Sequence, residues 1–303
     1  MPAEIDTSLC PLEGRAVRWK TVGVIVPPAG SGVAVFAHGE TESASASLIV
    51  EVDASGVARF TYGPEQPAEE GESVIAAGSA AGSWWAVGNY FILGRHLSPP
   101  ACEDGENETP GYRESDQHAW YFNGSTTPAE LTVSEAVTAL REGTKDVTQE
   151  QNDCGRSDTV DARASYEGTI NRRADMDSDG NCASFVTRDG VNVVDFGNLP
   201  DNVVGLTCTW YRVWPDWWDE VTESDMRLNK ADFTWTVTPG SGCSGATYDV
   251  ESIAAHERGH TFGLDDVSYH YHGNLTMAAV SNPCSKYLRT LGAGDMDGLE
   301  YIY

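Results

Sequence analysis

Two histidines four residues apart, His256 and His260, enclose Glu257, and no other residues of the chain are better suited by type and spacing to do chemistry. On a helix, positions i and i+4 stack on one face, so two imidazole nitrogens can address one metal ion. Glu257 then falls beside the ion rather than on it. From there it can take a proton from a zinc-held water, whose acidity the metal has raised, and deliver it to a leaving amine. Gly263 supplies a left-handed residue that ends a helix and turns the chain back. The turn brings Asp266 to the place of a third ligand, which leaves a fourth position open for water and substrate. His270 and His272 are rivals for that third place if the chain after Gly263 folds differently; the spacing favours Asp266. A bare His-Glu-x-x-His string recurs by chance in long chains, and the cap, glycine and aspartate around it are what sharpen this one.

The ligand helix is predicted to start at Val250, with Asp249 as N-cap and Glu251 in its acidic first turn. An earlier helix is expected over residues 132–145, where Val133, Ala136, Val137 and Leu140 recur at helical spacing. Strand-like runs lie at 191–196, 207–213 and 232–237. Residues 16–97 read as short β-branched and aromatic strands broken by Gly, Pro and Ser, with a hairpin turn at Asp53-Ala54-Ser55-Gly56. Residues 98–113 are dense in Pro, Gly and acids and make the best linker. The expected organisation is therefore a small β-rich region over 1–100, as pro-segment or accessory module, followed by an α+β catalytic domain over 101–303 in which helices and strands segregate.

The chain has 303 residues, with 46 acidic against 19 basic and a formal charge of −27, which repels nucleic-acid phosphates and anionic lipid. No apolar run approaches the roughly 20 residues of a membrane span. Neither nucleic acid nor membrane is an expected partner, and a monomer acting on protein or peptide is. Seven cysteines (Cys10, Cys102, Cys154, Cys182, Cys208, Cys243, Cys284) form no Cys-x-x-Cys pair and read as disulfides of an oxidising compartment, with one left over. Cys154 and Cys182 bracket a local loop. The first residues, MPAEIDTSLCPLEG, show neither the basic nor the apolar segment of a signal peptide, so secretion is expected from cysteine usage rather than from a leader.

The string HERGHTFGLDD resembles the extended zinc-binding signature of the metzincin metallopeptidases, and Met277 in HGNLTM resembles their Met-turn. The segments at 189–200, 223–229 and 248–260 resemble the bacterial matrixin-like branch. The likeness covers roughly residues 102–303 and is specific only around the helix. It implies a zincin-like fold, a twisted sheet with two main helices and a cleft in which a peptide pairs with the edge strand. It also implies a secreted hydrolase, a zinc protease with His256 and His260 as ligands, Glu257 as catalytic acid/base and Met277 supporting the site without binding metal. Matrixins usually have histidine as third ligand; Asp266 departs from them and is like the snapalysin-type proteases. A carboxylate there lowers the charge of the zinc site and weakens its Lewis acidity.

A second metal reading concerns DMDSDGN, where Asp175, Asp177 and Asp179 alternate before a glycine and could wrap oxygen ligands around Ca²⁺. The match is partial, since a full loop needs Glu where Val186 stands, and a solvated acidic turn competes with it. Trp84-Trp85 and the cluster Trp210, Trp214, Trp217 and Trp218 read first as packing and second as a wall of the cleft. The non-enzymatic alternative is an extracellular binding or adhesion protein whose zinc site is structural or vestigial.

Overall fold

The computed structural model describes residues 4–6, 12–63, 90–92, 95–215 and 217–303; Cys10 and Trp84-Trp85 lie outside them. One ten-stranded sheet organises the chain. Its strands are β1 (Glu4–Asp6), β2 (Ser31–Gly39), β3 (Ala46–Val52), β4 (Val57–Gly63), β5 (Tyr112–Arg113), β6 (Gln117–Phe122), β7 (Arg163–Thr169), β8 (Asn192–Gly197), β9 (Val203–Arg212) and β10 (Asp219–Asn229). They lie in the order β1-β4-β3-β2-β9-β10-β8-β6-β7, with β5 beside β10. Neighbours from β1 to β10 are antiparallel, and those from β10 to β7 are parallel. The helices are α1 (Val133–Thr148), α2 (Val250–Thr261), the single turn α3 (Tyr269–His272) and α4 (Ala293–Ile302). The chain is thus mixed α+β, with a core built mainly on the sheet.

Local chemistry explains the boundaries. Thr132 and Glu135 form a reciprocal capping box that starts α1. The hairpin between β3 and β4 turns where expected, because the Asp53 carboxylate accepts from the N–H groups of Ser55 and Val57 and Gly56 takes a positive φ of 86°. The strand expected over 232–237 shrinks to Thr234–Thr236, paired with Thr247–Asp249 in a separate two-stranded sheet. Asn229, Ala231 and Asp232 close a side-chain-bonded turn immediately ahead of it.

The sheet continues across residue 100. β2 pairs antiparallel with β9 from Ser31 opposite Arg212 to Gly39 opposite Val203. Both strands are buried on two faces. On one, Val33, Val35 and Ala37 of β2 join Leu206, Cys208 and Trp210 of β9 in a cluster that also takes in Val22, Val24 and Met176. On the other, Phe36, His38 and Thr207 meet α2. Beyond β9, α1 and α2 pack on β6, β8 and β10 through Leu140, Ile253, Phe196 and Met226. Gly143 lets the two helices close, since a Cβ there would overlap Glu251 carbonyl oxygen and Ala254.

Three disulfides staple the loops: Cys102–Cys154, Cys182–Cys208 and Cys243–Cys284. Cys154 and Cys182 do not close a loop between them, because Cys182 lies in the apolar cluster against Cys208 of β9. Such bridges are what an oxidising compartment permits. No helix among the described residues is long and apolar enough to cross a membrane.

Candidate metal centre

Both ends of α2 are fixed by hydrogen bonds. Asp249 accepts from Ser252 N–H at 3.0 Å and is gripped by Arg289 through two 2.7 Å bonds. At the C-terminus, Gly263 N–H reaches His260 carbonyl oxygen at 3.2 Å and Leu264 N–H reaches that of Gly259 at 2.9 Å, the paired bonds of a Schellman motif. Gly263 has φ of 94°, and a Cβ there would run into the Tyr112 carbonyl. This turn sends the chain back past the helix and delivers Asp266.

His256 Nδ1–H donates to the Thr276 carbonyl at 2.8 Å, and His260 Nδ1–H to the Leu264 carbonyl at 3.0 Å. A carbonyl can only accept, so each Nδ1 carries the proton and each neutral ring presents a lone pair at Nε2. Those two Nε2 atoms face each other at 3.1 Å, with Asp266 Oδ1 at 3.2 Å from the first and 3.6 Å from the second. Donors around a tetrahedral zinc ion with bonds near 2.05 Å stand roughly 3.3 Å apart. Neither Asp266 oxygen has a hydrogen-bond partner among the described residues. Three acceptors converging in a buried place without a proton between them repel unless a cation sits there, and the donor set therefore fits zinc.

Glu257 is buried, with Oε2 accepting from Thr207 Oγ1 of β9 at 2.5 Å and Oε1 without a partner among the described residues. Burial pushes its carboxyl up to about 8, partly offset by His256 and Thr207. Burial pushes His260 down to about 4 against the pull of Asp266. For His256 burial also opposes the charge, but the contacts with Asp266 outweigh it and the net direction is upward. Met277 is buried beneath the helix, and a Cβ on Gly259 would overlap its sulfur. The turn carrying Met277 hangs on the Asp295 carboxylate, which accepts from the N–H groups of Thr276, Met277 and Gly292 at 2.8, 3.1 and 2.8 Å.

The structure thus gathers His256, Glu257, His260, Asp266 and Met277. His270 and His272 are placed elsewhere, on α3, where His272 Nδ1 bonds Asp104 at 3.0 Å. Of the calcium candidates, Asp177 spends both oxygens on Asp179 and Asn181 within its own loop, while Asp175 clusters with Glu223 and Asp225 rather than with Asp177 and Asp179. Trp210 is core, with its ring N–H on the Ala183 carbonyl, whereas Trp214 and Trp217 are exposed in the β9–β10 connection.

Sequence reasoning missed four neighbours of the centre: Phe36, His38, Thr207 and Asp295. Phe36 stacks on the His260 ring, centroids 4.2 Å apart and planes within 7°. The His38 and His256 centroids lie 3.8 Å apart. Alternation within SGVAVFAHG puts Phe36 and His38 on one face, but no local signal says that this face meets α2. Beneath β2 the centre is closed: His256, Glu257 and His260 are each 0% exposed. Compared with known proteins, the chain matches no family model and no curated protein sequence.

Proposed function

We propose that this chain is a secreted zinc-dependent endopeptidase of metzincin type, acting on protein or peptide, with His256, His260 and Asp266 holding the metal. The observation that carries the reading is the convergence of two outward-facing lone pairs and an unsatisfied carboxylate beside a buried glutamate. Zinc held there supplies Lewis acidity to a peptide carbonyl and to water. Glu257 does the proton work: Thr207 fixes Oε2, which leaves Oε1 as the atom that accepts the proton and later releases it to the departing amine. Thr276 and Leu264 orient the two imidazoles through their carbonyls, and Asp295 holds the turn from which Thr276 and Met277 project. Two main helices against a mixed sheet, with the ligand motif on the second, support a zincin-like reading of the α+β fold, and Asp266 supports the snapalysin-type variation on a matrixin-like site. Once β2 has been separated from β9, Glu257→Ala is expected to retain zinc and lose the cleavage of a denatured casein-type substrate that the wild type then shows; cleavage surviving that change, or surviving a zinc chelator, would overturn the mechanism.

The complete burial of the centre favours a second reading, an extracellular binding protein with a structural zinc site. Zinc content without cleavage, persisting once β2 has been separated from β9, would select it. We also propose calcium as a structural ion at Asp175 with Glu223 and Asp225, rather than in the loop of Asp177 and Asp179.

A further inference from the structure

β9 would be the natural edge for an extended peptide to pair with, and it is already paired on both sides, with β10 and with β2. β2 lies between β9 and β3 in the sheet. The segment after Met277 meets only its C-terminal end: Gly39 bridges in parallel to Val280, and Ser45 Oγ, just ahead of β3, donates to the Ala279 carbonyl at 2.5 Å. At this end β2 turns His38 onto the metal centre. The His38 ring is 0% exposed, and its Nε2 bonds Ser281 Oγ at 2.6 Å. Its Nδ1 has no hydrogen-bond partner among the described residues. With Nε2–H donating to Ser281, Nδ1 presents a lone pair. One donor atom each from His38, His256 and Asp266 lie within 4.8 Å of one another, so a ring movement on the order of 1 Å would reach tetrahedral spacing.

We propose that His38 is a fourth protein ligand to the metal held by His256, His260 and Asp266, so that β2 is a built-in occupant that closes the coordination sphere and the full chain is latent. The proposal rests on the zinc peptidase reading and adds to it: a catalytic site keeps one position open, whereas four protein donors make a closed one. It also assigns the β-rich region a role. The three disulfides among the described residues all lie within 102–284, so β2, β3 and β4 are held to β9 by hydrogen bonds and apolar contact rather than by a crosslink. Such an occupant can leave without reduction. The open position appears only when it does.

X-ray absorption on the zinc-loaded full chain decides the ligand count without any variant. Three imidazoles and one carboxylate are expected; two imidazoles would overturn the proposal while leaving the zinc reading intact, and no bound metal would overturn both. A second readout uses the cobalt-substituted chain with azide as a small-anion probe. The wild-type visible spectrum is expected to stay unmoved, while His38→Gln and His38→Phe, checked for native disulfides and near-ultraviolet dichroism, should shift with azide. Their zinc affinity should fall by at least about 10-fold. An azide shift in the wild type, or variants with unchanged affinity and no azide shift, would overturn the assignment.

Discussion

Replacing Asp266 by Asn should reverse the order of stability between metal-free and zinc-loaded protein. Without metal, and at a pH high enough for His256 to be neutral, Asp266 Oδ1 faces two Nε2 lone pairs at 3.2 and 3.6 Å, and neither of its oxygens has a hydrogen-bond partner among the described residues. An unsatisfied buried polar group of this kind costs about 1–3 kcal/mol. The Asn amide fills the same volume and donates the missing hydrogen, so the metal-free variant should be the more stable by a similar amount, about 2–5 °C in Tm. With zinc at a thousandfold excess over Kd, the wild type gains about 4 kcal/mol by mass action. If the neutral amide binds zinc 100-fold more weakly, the same zinc concentration adds only about 1.4 kcal/mol to the variant. The two melting temperatures should therefore cross on zinc addition. Calorimetry of both proteins, chelated and zinc-saturated at mildly alkaline pH, checks this. A wild type that is more stable than Asp266→Asn without metal, or equal zinc shifts in the two, would refute the argument.

Gly259→Ala places a methyl group against the Met277 sulfur and should lower stability by about 1–3 kcal/mol, read by denaturant unfolding. Asp295→Ala removes the acceptor of three buried N–H groups around the Met277 turn and should cost about 3 kcal/mol or more, with reduced zinc affinity in a competition titration. Asp146, raised from 3.8 to about 8 by burial first and Glu251 second, tests the pH dependence. Its folded value lies above its unfolded one, so its contribution is fully present below pH 3.8 and is lost as pH rises towards 8. Asp146→Asn should then match the wild type near pH 4 and exceed it by about 1–3 kcal/mol at pH 8, and a constant difference across that range would contradict the assignment. Calcium added to chelated protein should raise Tm; an unmoved Tm counts against an ion near Asp175.

The parts of the centre that follow from local rules were legible. Helical spacing places His256 and His260 on one face, Asp249 caps their helix, and a glycine at 263 is needed for the turn that returns Asp266. The α+β class also follows from segregated patterns. What the sequence did not disclose is long-range. β2 meets β9 across about 170 residues of chain, and alternation names a face without naming what covers it. Phe36 and His38 therefore carry no local mark of the centre, and Thr207 is one polar residue in a strand. Asp295 sits in a helix start that looks self-sufficient, while its carboxylate serves a turn 19 residues earlier. Disulfide pairing depends on the same tertiary adjacency, which is why Cys182 pairs with Cys208.

The central claim is the ligand set, and anomalous diffraction at the zinc edge from zinc-loaded crystals tests it most directly. The account predicts one strong peak about 2.0–2.2 Å from His256 Nε2, His260 Nε2 and an Asp266 oxygen, beside Glu257 rather than on it. A peak bound by His270 or His272 in place of Asp266, or no peak at α2, would contradict it.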